Sequence, residues 1–593
     1  MAKKRDDINK DDKWNVEALF KSDELWEEEL KKLSNDINTI QKYKGTLKES
    51  AENIKNLIED EIKLGRRFNL LYTYAHMRND EDGKNTKYKT FYNKAYNLAV
   101  NYDVLTCWIT PEILSIDDNI MKSFIDDKVL APYKFYLKKL LRVKPHVLSE
   151  NEENIVSLAS NAMSTADDTF SSLSDMDLKF GEVLDSNNNS YEITHGEYHK
   201  LLLNKDRVLR ERTFKQYHNK YGEFSTTFAS LIYGKIKTAH FYGTVRKYKS
   251  TLDASLFPKN IETSVYTNLI KSVRENIDAL HDYLAYRKER MGLSELHLYD
   301  LNIPFVDKEE INFSYESAKE TLLNSIKPLG DEYYSVLKKG LNEDRWVDIY
   351  ENENKRSGAY STGCYDSFPY ILMNFNGTLN AARTLAHEAG HSMHSYFTHK
   401  YQPPIYGSYP IFLAEVASTF NEELLNHYLI MNTNDKKTKD YLINGRLDEI
   451  RTTLFRQTMF AEFELTIHQM VESGEPLTAE VLSKEYRKLN EFYFGKNVVL
   501  DKETDIEWAR IPHFYYNYYV YQYATGISAA IALYKKVING GEKELNDYIG
   551  FLKAGSSKYP LDILKSAGVD MSSPKPVIES INYFRELLQE LKK

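Results

Sequence analysis

Apolar residues recur at intervals of three and four along most of the chain, and this spacing predicts α-helices. Ile54, Leu57, Ile58 and Ile62 show the pattern between charged positions. Only 15 prolines are present to interrupt such helices. We therefore expect a mainly α fold.

Two stretches depart from the helical pattern. Short apolar runs flank Asp185 to Ser190, a turn-forming cluster, and this arrangement predicts a hairpin. The stretch from Gly358 to Asn374 is rich in small, aromatic and β-branched residues, which favour strands and turns. We take the hairpin as the hinge between an amino-terminal helical lobe, residues 1–190, and a larger domain, residues 191–593.

The length and composition indicate a folded protein with more than one lobe. At 593 residues the chain exceeds the size at which one hydrophobic core stops growing, so a cleft between lobes is expected. The net charge is −9, and the basic residues are scattered among acidic ones, which argues against a nucleic-acid partner.

The sequence also bears on location. No stretch approaches the roughly 18 apolar residues that a membrane span needs, and the charged amino terminus lacks the apolar run of a signal peptide. Cys107 and Cys364 are the two cysteines, too few for a disulfide framework. We expect a cytoplasmic protein without a membrane partner.

One predicted helix contains the pattern H-E-x-x-H at His387, Glu388 and His391. Residues four apart lie one turn apart on one helix face, so both imidazoles can bind one ion at about 2.0–2.1 Å. Glu388 then lies beside the ion, where it can accept a proton from water and return it to a leaving amine. Asn380 is expected to cap the helix, and Gly390 is its weakest helix former.

A third ligand is needed, because five residues can match by chance on an amphipathic helix with two incidental histidines. Glu415 lies in the next helical pattern between apolar neighbours, and a carboxylate within an apolar face must be paired or bound to metal. Glu422 and Glu423 are rival ligands. We expect Glu423 to be solvated, whereas Glu422 could orient a ligand.

Two histidines and one glutamate leave the fourth position of Zn²⁺ open, as in catalytic sites. We expect one Zn²⁺ per chain, although cobalt or manganese can occupy such ligands. His394 and His399 would close the site if they bound the ion. They are therefore expected on the helix surface or beside the ligands.

Hydrolysis also needs donors for the negative charge that develops on a carbonyl oxygen. On a helix starting near Pro512, a stripe of Phe514, Tyr518 and Tyr521 would form, with His513 in the first turn. Phenol hydroxyls and an imidazole N–H aimed at that oxygen would stabilise it. The alternative is a tyrosine-rich helix that only packs.

Several long stretches resemble the M3 family of thimet-type oligopeptidases, and within it the oligoendopeptidase F group. They include KWNVEALF, TLAHEAGHSMHSYF, LAEVASTFNE, PHFYYNYYVYQYATG and FLKAGSSKYPLDILKSAGVDM. The resemblance covers nearly the whole chain. It implies a helical, two-lobed fold around a deep channel, with a small β-sheet near a single zinc ion, that admits short peptides and excludes folded proteins.

The resemblance also implies residue roles. The metal ligands and the general base would be His387, His391, Glu415 and Glu388. His513 with Tyr518 or Tyr521 would contact the substrate and the oxyanion. Thimet-type relatives carry a glycine-rich loop before these tyrosines, whereas this chain has Phe514 to Asn517, so Tyr516 could replace either one.

The predicted activity is therefore zinc-dependent cleavage of internal bonds in short unstructured peptides. The strand between Gly358 and Asn374 would bind the extended peptide backbone by strand addition. One alternative is a zinc exopeptidase with the same ligands. The other is a peptide-binding scaffold that has lost catalysis, which would require a missing ligand or base, and none is missing.

Overall fold

The structure is a computed structural model that describes residues 3–306 and 311–593. Helices make up 72% of it, so the predicted mainly α class is confirmed. In chain order, the α-helices are α1 Asp23–Asp36, α2 Ala51–Glu81, α3 Thr86–Thr106, α4 Ile109–Ser115, α5 Asp118–Asp126, α6 Lys134–Arg142, α7 Glu150–Met163, α8 Thr165–Ser171, α9 His195–Leu202, α10 Arg207–Gly222, α11 Ser225–Val245, α12 Thr251–Leu256, α13 Thr263–Glu275, α14 Asp278–Arg290, α15 Tyr315–Ser325, α16 Gly330–Leu341, α17 Leu379–Tyr401, α18 Ile411–Asn432, α19 Lys436–Ile450, α20 Arg456–Glu472, α21 Ala479–Phe494, α22 Tyr521–Asn539, α23 Glu542–Lys553, α24 Pro560–Ser566 and α25 Lys575–Lys592.

The strands are short and form small sheets. They are β1 Glu182–Leu184, β2 Ser190–Glu192, β3 Leu296–His297, β4 Val347–Asp348, β5 Tyr360–Thr362, β6 Tyr370–Leu372 and β7 Val498–Val499. β1 pairs antiparallel with β2, and β3 pairs parallel with β7. The largest sheet has the order β4-β6-β5, with β4 parallel and β5 antiparallel to β6, so β5 lies at an edge.

The predicted hairpin is confirmed as β1 and β2. The carboxylate of Asp185 accepts the backbone N–H groups of Asn187 and Asn189, each at 2.8 Å, and so holds the turn. This is the turn chemistry that the cluster of asparagines favours.

Contacts divide the chain into two compact units, each built from three separate stretches. The first comprises Met1–Lys144, Glu310–Met431 and Leu533–Val569, and the second comprises Pro145–Glu309, Asn432–Ala532 and Asp570–Lys593. This division differs from the predicted boundary at residue 190, which falls inside the second unit. Turn residues mark a hairpin, but they carry no information about which distant segments pack together.

The amino-terminal helices of the first unit pack around a hydrophobic core. Ile54 and Leu57 of α2 are fully buried, as their helical spacing predicts. Trp26 of α1 stacks on Phe91 of α3 with ring centroids 4.1 Å apart. Such large aromatic side chains contribute strongly to the stability of the core. No described helix combines the length and hydropathy needed to cross a membrane.

α17 and α18 approach each other closely in the first unit. Thr378 caps α17 in place of the predicted Asn380, because its hydroxyl accepts the backbone N–H of Ala381 at 3.2 Å. A Cβ on Gly390 would lie 2.6 Å from the backbone carbonyl oxygen of Ala417 in α18. Only glycine allows this approach of the two backbones.

Candidate metal centre

His387 and His391 of α17 lie opposite Glu415 of α18. Their Nε2 atoms are 3.4 Å and 3.6 Å from Oε2 of Glu415. One ligand atom from each residue lies within 4.8 Å of the other two. Ligands held about 2.0–2.2 Å from a tetrahedral ion are about 3.4 Å apart, so this spacing fits one Zn²⁺.

Glu422, about two helical turns beyond Glu415, contacts Nδ1 of His387. A carboxylate at Nδ1 fixes the tautomer that leaves Nε2 for a metal. Burial lowers the pKa of His387, but the hydrogen bond and charge of Glu422 outweigh it and raise that pKa to about 9. This structure therefore supports an orienting position for Glu422.

The His391 imidazole is held differently. Burial, together with the charge of His387, lowers its pKa to about 4. The Ala414 backbone hydrogen bonds the imidazole, and Tyr409 donates its hydroxyl proton to the His391 carbonyl oxygen at 3.3 Å. The Tyr409 contact is made by the main chain of His391 and does not use the Nε2 atom that faces Glu415. Tyr409 carries no sequence signal, because it lies in an irregular segment between the two helices.

Glu388 is buried beside these ligands. Burial raises the pKa of its carboxyl, as does the charge of Glu415, while His387 and the backbone of Ser361 oppose the rise. A carboxylate with a raised pKa is a better proton acceptor near neutral pH. Three carboxylates, those of Glu388, Glu415 and Glu422, thus surround two imidazoles, and this excess of negative charge favours a divalent cation.

The edge strand β5 lies against α17 at this point. The Ser361 hydroxyl is 2.8 Å from the hydroxyl of Ser392, one turn after Glu388. The Ser361 backbone also forms a hydrogen bond with the Glu388 carboxylate. The predicted small β-sheet therefore lies beside the candidate metal ligands.

Two expectations for nearby carboxylates were wrong. The Glu415 side chain is 45% exposed instead of lying within an apolar face. Glu423 is buried and not solvated. His394 is buried, and its ring centroid lies 3.7 Å from that of Tyr409, which fits the expected position beside the ligands and not the one on the helix surface. His399 is half-buried. Because α18 is apolar around much of its circumference, periodicity could not tell which carboxylate faces solvent.

The predicted helix from Pro512 was also wrong. A short 3-10 helix spans Pro512–Tyr515, and the following Asn517 and Tyr518 have left-handed backbones with φ of 46° and 58°. α22 begins only at Tyr521. The Glu464 carboxyl accepts the Tyr518 N–H at 2.5 Å, so a tertiary contact replaces helical hydrogen bonding here.

This geometry separates the tyrosines into buried and accessible ones. Tyr518 is 2% exposed and its hydroxyl is 2.9 Å from that of Thr251, while Tyr521 is also buried. Tyr516 is 59% exposed. His513 is half-buried, which lowers its pKa, and its Nε2 lies 3.1 Å from the hydroxyl of Tyr523.

The predicted site residues thus fall into two groups. The metal cluster and Glu388 belong to the first unit, whereas His513, Tyr518 and Tyr521 belong to the second. The contact between His513 and Tyr523 was not predicted, because the backbone between them is irregular and helical spacing therefore gives no information about which of its side chains meet.

Comparison with known proteins gives the family. The model of peptidase family M3 matches residues 200–583, and that of oligopeptidase F matches residues 112–180. Oligopeptidase PepF of Bacillus subtilis is 45% identical over 99% of this chain and 88% of its own length. Group B oligopeptidase PepB of Streptococcus agalactiae is 37% identical over 100% of this chain and 98% of its own length.

Solved structures are also similar to this chain over nearly its whole length. A Chlamydophila abortus protein superimposes with a TM-score of 0.95 at 39% identity, covering 100% of this chain and 99% of its own. Oligoendopeptidase-F of Enterococcus faecium gives a TM-score of 0.74 at 36% identity, covering 96% and 98%. The chain therefore belongs to peptidase family M3 and is a metalloendopeptidase of its oligoendopeptidase F group.

Proposed function

We propose that this chain is a zinc-dependent endopeptidase that hydrolyses internal bonds of short, unstructured oligopeptides. The observation that carries the proposal is the convergence of His387, His391 and Glu415 on one point, with Glu388 buried beside them. Relatives named oligopeptidase and oligoendopeptidase support the substrate class.

Zinc held by these three residues would polarise the scissile carbonyl and make a water molecule more acidic. Glu388 takes the proton from the attacking water, since its raised pKa makes it a fitting acceptor. It then gives the proton to the departing amine nitrogen. Glu422 keeps the His387 ring oriented during these steps.

The oxyanion donors are proposed to come from the tyrosine-rich segment that follows Pro512. His513 is the first candidate, because its imidazole is partly accessible and bonded to Tyr523. Tyr516 is the most exposed tyrosine of the segment. Tyr518 and Tyr521 remain proposed donors, but their burial favours a role in holding the segment that carries His513.

β5 is proposed to bind the peptide backbone by strand addition. It lies at the edge of its sheet and directly beside Glu388. Main-chain pairing reads an extended conformation more than side-chain identity, which suits short unstructured peptides.

Cleavage of a peptide blocked at both ends tests the endopeptidase assignment. We expect the zinc-loaded protein to cut a doubly blocked nonapeptide at internal bonds, with products identified by mass spectrometry. The same peptide with free ends is the control. If only the peptide with a free end is cut, the chain is an exopeptidase instead.

A further inference from the structure

The second unit contains a cavity that the proposed function does not use. Its volume is 420 Å³, within the range of about 300–1,000 Å³ that is typical of small-molecule sites. α9, α10 and α20 form most of its walls, together with the 3-10 helix Lys502–Arg510. The arginines and acidic residues that line it are Arg451, Arg456, Arg510 and Glu507.

Glu507 is shared between two guanidinium groups. Nη2 of Arg510 donates to its Oε1 at 2.6 Å, and Arg456 donates to its Oε2. Burial alone would raise the pKa of Glu507, but the two arginines hold it well below its usual range. One negative charge therefore faces two positive charges, and the cluster keeps one positive charge in excess.

A second cluster also places two arginines around one carboxylate. Nε of Arg451 and Nη1 of Arg287 lie 3.1 Å and 3.2 Å from Oδ1 of Asp448. Burial would raise the pKa of Asp448, and the two arginines lower it below its usual value. Arg451 is buried and lines the cavity, so this second cluster also brings positive charge to the cavity lining.

The side chains of Arg456 and Arg510 are only 15% and 28% exposed, so their excess positive charge costs free energy unless an anion or water compensates it. Nε of Arg510 is buried and has no hydrogen-bond partner among the residues that the structure describes. The planar guanidinium fork matches carboxylate and phosphate oxygens in two-point hydrogen bonds. The charged wall is thus suited to an oxyanion.

The rest of the cavity is suited to an organic body. The apolar side chains that line it are Leu202, Phe214, Leu298, Leu301, Phe460 and Phe494. Asn302, Thr452 and Gln457 supply neutral hydrogen-bonding groups. A bare inorganic ion would leave the apolar wall without a partner.

We infer that this cavity binds a small organic anion. Its carboxylate or phosphate group pairs with Arg510 and Arg451, and its apolar part packs against the leucines and phenylalanines. All of these residues belong to the second unit, whereas the candidate metal ligands belong to the first. The site therefore does not depend on the proposed peptidase mechanism.

Calorimetric titration of the zinc-loaded full-length protein tests the inference. The probes are phenyl phosphate, benzoate and phenol, at constant ionic strength. We expect saturable binding of at least one anion and none of phenol. Arg510→Gln should weaken that binding about 10- to 100-fold, because a charge-assisted pair is lost.

A matched variant controls for the loss of charge. Arg585 of α25 pairs with Asp278 at 2.9 Å, away from the cavity lining, so Arg585→Gln should bind the anion as the wild type does. If Arg510→Gln does not fold, Arg510→Lys retains the charge without the fork and should bind with an intermediate affinity.

Tighter binding of phenyl phosphate identifies a phosphate ligand, and tighter binding of benzoate identifies a carboxylate. Either result supports the site if the substitution at Arg510 weakens binding of that anion. Absence of saturable binding of both anions up to about 10 mM would overturn the inference. Binding that is equal in the wild type and the Arg510 variants would overturn it as well.

Discussion

At the scale of single residues, the account depends on Glu388 acting as a base without binding the metal. We expect Glu388→Gln to keep its metal and lose about 10²- to 10⁴-fold in kcat, since the amide cannot accept the proton. Turnover of blocked peptides by protein of verified zinc content is the measurement. Near-normal kcat in the metal-loaded variant would remove Glu388 from the mechanism.

Glu422 is expected to act through His387. Glu422→Gln replaces the carboxylate at Nδ1 with a neutral amide, so zinc affinity should fall about 10- to 100-fold. Competition with a chelator of known affinity measures this loss. Added zinc should restore turnover, whereas a variant that stays inactive when saturated with zinc would speak against an orienting role.

Part of the candidate site could be predicted from the sequence. The positions of His387 and His391 follow from helical spacing alone, and the structure brings Glu415 to them as expected. The buried state of Glu423 and the left-handed backbone of Tyr518 could not be foreseen, because both depend on contacts from other helices.

At the scale of elements, the close packing of α17 on α18 positions Glu415. A Cβ at Gly390 would meet the backbone of Ala417 and Ser418 at 2.6 Å, so Gly390→Ala should push the helices apart. We expect a loss of about 1–3 kcal/mol in stability, together with weaker zinc binding. Thermal unfolding with and without zinc measures both effects.

Gly550 of α23 provides the matched control. An added Cβ there meets nothing within 4 Å, so Gly550→Ala should be neutral or stabilise its helix by about 0.5–1 kcal/mol. Equal stabilities of the two variants would show that the contact at Gly390 does not constrain the helices.

α20 holds the segment that carries His513 through a buried carboxyl group. Burial raises the pKa of Glu464 to about 8, above its ordinary 4.5. The folded protein therefore favours the neutral carboxyl group. The free energy of unfolding that this group contributes falls as pH rises from 4.5 through 8, by up to about 1.4 kcal/mol per pH unit. We therefore compare the melting temperature of Glu464→Gln with that of the wild type in the same buffer. The difference, variant minus wild type, should be larger at pH 8.5 than at pH 5.

The carboxyl of Glu464 accepts the Tyr518 N–H, and the glutamine carbonyl can do the same. The control is therefore the wild type measured in the same buffers. A difference between variant and wild type that is the same at both pH values would contradict a neutral buried carboxyl.

Element prediction succeeded where a local pattern was strong. The hairpin of β1 and β2 and the helix α17 follow from turn residues and from apolar spacing. The helix expected from Pro512 failed, because Glu464 and Thr251 hold Tyr518 in a non-helical backbone that no local pattern records.

At the scale of the whole molecule, each unit assembles from three separated stretches of chain. A boundary drawn at one hairpin could not represent this interleaving, since sequence-local signals do not report contacts between distant segments. The mainly α class was predictable because it depends only on the sum of local preferences.

The central claim is that one Zn²⁺ is bound by His387, His391 and Glu415. Anomalous diffraction at the zinc edge, on crystals grown without chelators, tests it most directly. We expect a single peak about 2.0–2.2 Å from Nε2 of both histidines and from a Glu415 oxygen. A zinc peak bound elsewhere, or one at the histidines with Glu415 turned away, would contradict the account.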